Sequence, residues 1–227
     1  MTWVKICGMT NLEDALVAVD AGADAVGFVF YEKSPRYVSV ETAREICEQL
    51  PENVEKVGVF VGDETEGACT VSREIGLTIA QIYADGQGQS SGLDDESLAK
   101  MPCRVIPAVS VCGVGDDALV GLHVSAQVRE RILAVLLDSG ISGRPGGTGR
   151  AFDWGTAAPI TDLMYRSGLK LIVAGGLTPQ NVGEAMTILR PWGVDVASGV
   201  EVQPGKKDPE KVRAFVRAVR DADRKAS

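Results

Sequence analysis

Histidine is almost missing from this chain: His123 is its one example among 227 residues. A site built on imidazole has little to draw on, and a metal-dependent enzyme that needs histidine and carboxylate ligands is disfavoured. Cysteine is sparse and odd in number. Cys7, Cys47, Cys69, Cys103 and Cys112 make no CxxC and no Cys/His spacing, so neither a disulfide framework nor a zinc site is indicated, and a reducing cytoplasm is the compartment expected. No stretch reaches the roughly 18 apolar residues of a membrane span, and WVKICGMTNLEDAL lacks the basic and then apolar segments of a secretion signal. A soluble, unprocessed chain is the expectation. Positive charge is in deficit too. A formal net charge of −8 argues against nucleic acid or an acidic membrane as partner, since both require clustered Lys and Arg. An anionic small molecule would have to be held locally, by backbone N–H groups at helix starts and by one or two placed arginines.

What is present is a regular alternation. A 45% hydrophobic content is enough for a substantial core at a length typical of one α/β barrel. Short β-branched runs followed by amphipathic stretches predict eight strands: Val4 to Cys7, Ala25 to Phe30, Lys56 to Val61, Thr78 to Tyr83, Val105 to Val109, Leu133 to Asp138, Lys170 to Ala174 and Val194 to Ala197. Runs such as VGFVF, VGVFV and AVLLD are continuously apolar, as parallel strands covered on both faces require. Helix starts are predicted at Thr10 with Glu13 in capping-box spacing, at Thr178 before Pro179, and at Asp208 before Pro209. Val40, Ala43, Ile46, Cys47 and Leu50 trace an apolar face. Eight βα units without a linker make residues 1–227 a single (β/α)8 TIM barrel, in preference to an open doubly wound sheet. Ala84 to Gly92 and Ser110 to Ala126 read as loops on the rim.

Barrel enzymes do their chemistry at the C-terminal ends of the strands, so polar residues there are the candidates. AGGLTPQN after strand 7 and ASGVE after strand 8 put Gly175, Gly176, Ser198 and Gly199 in small open turns, suited to phosphate held by backbone N–H groups. Tight turning alone would also call for these glycines. Asp138 closes the apolar run ILAVLLD; partial desolvation would raise its pKa toward a useful general acid, while capping through Ser139 or Gly140 is the bland reading. The glycine-rich SGISGRPGGTGRAFDW that follows, including Gly147, reads as a mobile loop near the substrate. Cys7 stands at the end of strand 1, where nearby N–H dipoles would favour a thiolate able to act as a base; a core cysteine is the alternative. Arg36, in SPRY after strand 2, is suited to bidentate contact with a substrate carboxylate, or is an exposed arginine without a partner.

Taken together and in order, KICGMT, SPRYV, LLDS with GGTGRAFDW, AGGLTPQNV, and DVASGVE with PGKKD resemble the phosphoribosylanthranilate isomerases over nearly the whole chain. The resemblance implies a tryptophan-biosynthesis enzyme that carries out an Amadori rearrangement of a small phosphorylated substrate without cofactor or metal. It implies Cys7 as general base and Asp138 as general acid, with Arg36 on the anthranilate carboxylate. Gly147, Gly175, Gly176, Ser198 and Gly199 would lie against the substrate, chiefly its phosphate, and Asp195 against the ribose hydroxyls. The chain departs from the family in strand 4. A Gln-Leu-His-Gly pattern is usual there, and this sequence has Gln81, Ile82, Tyr83 and Ala84, so Tyr83 occupies the histidine position against the substrate. A metal-dependent epimerase, an indole-glycerol-phosphate synthase with lysines at strand ends, and a barrel that only binds a phosphoribosyl ligand are weaker readings.

Overall fold

The computed structural model describes residues 1–62, 65–83, 95–110, 129–139 and 154–226. Eight parallel strands close into a barrel in chain order: β1 (Trp3–Cys7), β2 (Ala25–Val29), β3 (Glu55–Val61), β4 (Ile79–Tyr83), β5 (Arg104–Ser110), β6 (Val135–Asp138), β7 (Leu171–Val173) and β8 (Gly193–Val196). β8 pairs back onto β1, with Lys5 opposite Asp195. All eight predicted strands are present, their ends displaced by at most two residues. Among the described residues the helices are α1 (Leu12–Asp20), α2 (Val40–Cys47), α3 (Thr65–Ile75), α4 (Asp95–Lys100), α5 (Trp154–Arg166), α6 (Val182–Leu189) and α7 (Pro209–Ala226). A small hairpin, β9 (Glu201–Gln203) and β10 (Lys206–Lys207), follows β8. Gly147, His123, Cys112 and the predicted rim loops lie outside the described residues, apart from their edges.

Strand periodicity sorts the core into two layers. Successive side chains point to opposite faces, and Val4, Ile6, Val26, Phe28, Ala80, Ile82, Leu137 and Val173 pack outward with helix residues such as Ala15, Ile46, Val212 and Phe215. The intervening residues fill the barrel: Ala25, Val57, Ile79, Ile106, Ala134, Leu136 and Ile172 form a separate apolar cluster. Fully burying one side chain of this size stabilises by about 1.5–3 kcal/mol. Above that cluster the same inward face carries Lys5, Cys7, Gln81, Tyr83, Asp138 and Asp195.

Two helix starts differ from the sequence expectation. Asn11, not Thr10, caps α1: its Oδ1 accepts the Asp14 N–H at 2.9 Å, and Thr10 instead donates its hydroxyl to the Gly205 carbonyl. Thr178 and Pro179 open a preliminary turn, in which Asn181 Oδ1 accepts the Thr178 N–H at 2.7 Å and Asn181 Nδ2 donates to the Gly176 carbonyl; regular helix begins only at Val182. Asn side chains compete well for such backbone groups. Asp208 does cap α7, accepting the N–H groups of Glu210 and Lys211.

The loops after β7 and β8 touch. A Cβ added at Gly199 would lie 1.9 Å from the Leu177 carbonyl oxygen, a backbone atom that cannot swing aside. Gly199→Ala must push the two loops apart and is expected to destabilise the fold by about 1–3 kcal/mol, the usual cost of overpacking. A thermal unfolding midpoint unchanged from the parent chain would refute this close approach.

Candidate active site

A cavity of about 640 Å³ opens at the C-terminal ends of the strands, lined by Cys7, Arg36, Tyr83, Asp138, Gly175, Gly176, Asp195 and Ser198 among others. Eight of the sequence candidates are thus brought together from six strands or the loops that follow them. Gly199 is not among the residues lining the cavity, and its backbone packs closely against Leu177. Gly175 combines both demands. Its φ is +83°, and a Cβ would meet the Ser139 backbone nitrogen at 2.3 Å, so only glycine lets the loop after β6 close against the loop after β7.

The electrostatics of Cys7 depart from expectation. The side chain is buried among Val29, Val59, Tyr83 and Ala197. Burial pushes the thiol up from its ordinary pKa; the Lys5 ammonium beside it opposes this, and Asp195 adds to it. The resting group is therefore a thiol in neutral solution. Asp138 behaves as the sequence suggested, since burial raises its carboxyl, with Asp195 adding to the effect and Tyr83 opposing it. Its Oδ2 accepts the Tyr83 hydroxyl at 2.8 Å. The carboxylate also accepts the Ser139 backbone N–H, which opposes the rise, so it holds the start of the next turn as well as facing the cavity.

Arg36 is neither exposed nor unpartnered. Its Nε and Nη2 donate to the two carboxylate oxygens of Glu201 at 2.9 and 2.8 Å, both side chains being buried, and Lys207 Nζ donates to the same carboxylate at 2.8 Å. One edge of the guanidinium is committed to Glu201, and Nη1 faces no hydrogen-bond partner among the described residues. Burial would raise the Glu201 carboxyl, but Arg36 and Lys207 outweigh it and hold the group ionised below the ordinary range. Of the four side-chain polar atoms buried without a partner among the described residues, two belong to cavity residues, Gln81 Oε1 and Asp195 Oδ1. Both residues line the cavity, where hydroxyl groups of a ligand could satisfy them.

The N-(5'phosphoribosyl)anthranilate (PRA) isomerase family matches residues 4–218. The chain is 44% identical to an N-(5'-phosphoribosyl)anthranilate isomerase of Thermotoga neapolitana, over 96% of this chain and 98% of the relative. The chain belongs to the PRA isomerase family. Solved structures agree: the phosphoribosyl anthranilate isomerase of Thermotoga maritima superposes with a TM-score of 0.79 at 40% identity, covering 97% of this chain and all of that one. Another PRA isomerase structure, at 38% identity and a TM-score of 0.77 over 97% of this chain and all of that one, holds reduced 1-(o-carboxyphenylamino)-1-deoxyribulose 5-phosphate.

Within this PRA isomerase, four polar residues escaped the sequence reading. Lys5, Glu201 and Lys207 are buried and charged, and Gln81, named above only within the strand-4 pattern, is buried as well. Lys5 and Gln81 had a signal, since each sits two residues before a recognised candidate and so shares its inward face. Tyr83, the departure from the family pattern, serves Asp138. Its own pKa is driven well above 10 by burial and the Asp138 charge, so it remains a neutral donor. Removing a hydrogen bond of about 1–2 kcal/mol to an ionised carboxylate favours the protonated form. Tyr83→Phe is therefore expected to raise the Asp138 titration by about one pH unit, followed by carbon-13 NMR of labelled aspartate. A midpoint at or below that of the parent would show that the hydroxyl does not act on Asp138.

Proposed function

We propose that this barrel converts N-(5-phosphoribosyl)anthranilate to 1-(2-carboxyphenylamino)-1-deoxy-D-ribulose 5-phosphate with Cys7 as general base and Asp138 as general acid. The observation that carries the assignment is the placement of a thiol and a raised-pKa carboxyl at the mouth of one cavity, on β1 and β6. Asp138 protonates the furanose ring oxygen, and the ring opens to a Schiff base. The Cys7 thiolate removes the C2′ proton, the electron pair remaining in an enolamine that tautomerises to the ketone. The substrate carries a carboxylate and a phosphate. The free Nη1 edge of Arg36 takes the carboxylate, and the turns at Gly175, Gly176 and Ser198 take the phosphate, consistent with the usual place of phosphate in barrels. Gly147 remains a substrate contact by the family motif alone. Asp195 Oδ1 accepts from a ribose hydroxyl, and Gln81 Oε1 is available for another. The four described cysteines are free thiols, which suits a reducing cytoplasm, and no helix among the described residues is long and apolar enough to cross a membrane.

Cys7→Ser and Asp138→Asn are each expected to lower kcat by about 10²–10⁴, with smaller changes in KM. The pH dependence has a definite sign. In the parent enzyme a rise in pH gains thiolate and loses the Asp138 proton, so kcat/KM is flat between the two titrations. In Asp138→Asn only the gain survives, and with proton removal rate-limiting kcat/KM climbs by about tenfold per pH unit until Cys7 is ionised. Following phosphoribosylanthranilate fluorescence measures both. Near-parental kcat in either variant, or a profile in Asp138→Asn that falls as pH rises, would remove the assignment.

Arg36→Ala is expected to weaken substrate binding by about 1.5–3 kcal/mol, the worth of a hydrogen bond to a charged group, and to leave inorganic phosphate affinity unchanged. Calorimetry in which both affinities fall together would overturn the separation of the two anionic ends.

A further inference from the structure

We propose that Lys5 is a positioning residue for the base: its buried ammonium, oriented by Asp195, is the counter-ion against which the Cys7 thiolate forms. This deepens the proposed function and rests on Cys7 being the base. Lys5 and Cys7 lie two apart on β1 and both point into the barrel. Across from them on β2, Gly27 lacks a side chain. A Cβ there would meet Cys7 Sγ at 2.8 Å and the Lys5 Cε at 2.9 Å, so the two side chains converge on the space that glycine leaves. Lys5 is fully buried, and its Nζ donates to Asp195 Oδ2 at 3.0 Å. One such bond uses a single ammonium N–H of three. The ammonium also hydrogen-bonds the Cys7 side chain, and although burial would strip its proton, Asp195 and Cys7 together keep it charged above its ordinary range.

A purely structural ion pair would be a poor reason for this arrangement, because a buried pair adds little stability over well-packed apolar residues. What the ammonium supplies is a fixed positive potential at the one atom that must become an anion. The charged and titratable groups facing that sulfur are Lys5 from β1, Asp195 from β8, Lys207 from β10 and Tyr83 from β4, with the Arg36 stem over Gly8 and Asp138 behind Tyr83. Of the groups favouring the thiolate, Lys5 exerts the largest influence. Lys207 is already committed to Glu201, and Arg36 likewise. In the proton transfer Lys5 keeps its own proton throughout. The Cys7 proton leaves to solvent beforehand, and the C2′ proton later passes to the sulfur.

The test uses the free, full-length enzyme. Alkylation of Cys7 by iodoacetamide, resolved from the other cysteines by peptide mass spectrometry, is followed from about pH 6 to 10.5, spanning the ordinary thiol range. Lys5→Met is expected to cut the Cys7 rate at pH 8 about tenfold or more and to move its inflection up by at least about one unit, whereas Lys5→Arg retains most of the parental rate. The double variant Lys5→Met/Asp195→Asn removes the stranded carboxylate and is expected to show the same deficit. In the parent enzyme labelled with nitrogen-15 lysine, the Lys5 Nζ resonance is expected to report the Cys7 ionisation, and to lose that inflection in Cys7→Ser. Met variants alkylated at the parental rate, or a Lys5 resonance blind to Cys7, overturn the proposal. None of these readouts needs turnover. Should Cys7→Ser isomerise at the parental rate while Lys5→Met still slows alkylation, the coupling stands and the assignment of Cys7 as base fails instead.

Discussion

The pairing of Glu201 with both Arg36 and Lys207 ties the loop after β2 to the hairpin after β8, across the seam where the last strand meets the first. Without it, the barrel mouth would hold two buried cations with no anion, a state that costs several kcal/mol per ion even after relaxation. With it, the guanidinium of Arg36, a residue lining the cavity, is fixed at one edge. A chain of net charge −8 cannot draw an anionic substrate by its overall field. In the proposed function this falls to locally placed cations, and the Glu201 pairing holds Arg36 in one orientation before any ligand arrives.

The barrel was legible in the sequence because its signal is local. Each strand is a short β-branched run, and the ends of all eight required shifts of no more than two residues. Helix starts were less so, because Thr10 and Asn11 are adjacent and both are competent caps, and only the hydrogen bonds distinguish them. Cys7, Asp138, Tyr83 and Asp195 could be placed at strand ends by counting. The pairing of Arg36 with a carboxylate 165 residues away could not, since nothing in SPRY or in GVEV reports the other. The same holds for the pairing of Lys5 with Asp195, 190 residues apart, although strand alternation alone puts Lys5 on the Cys7 face.

Dipole arguments misjudged the thiol for a related reason. They consider the element that follows Cys7 and neglect the interior around it. Burial disfavours any charge on the sulfur, and the opposing cation comes from the same strand, two residues earlier. The cavity therefore holds a thiol and a carboxyl that both favour their neutral forms more than they would in water.

Tyr83 differs from the family's strand-4 histidine in what it can do to the Asp138 carboxyl. A histidine at this position in strand 4, as the family pattern has it, can change charge near neutral pH and would shift the Asp138 proton as it did so. A tyrosine buried beside Asp138 and Asp195 cannot ionise in that range, because its pKa is driven well above 10 by the burial and by the same carboxylates. It donates one hydrogen bond to Asp138 Oδ2 at every working pH. The Asp138 carboxyl in this chain therefore meets a constant dipole at this position, one that does not titrate beside it.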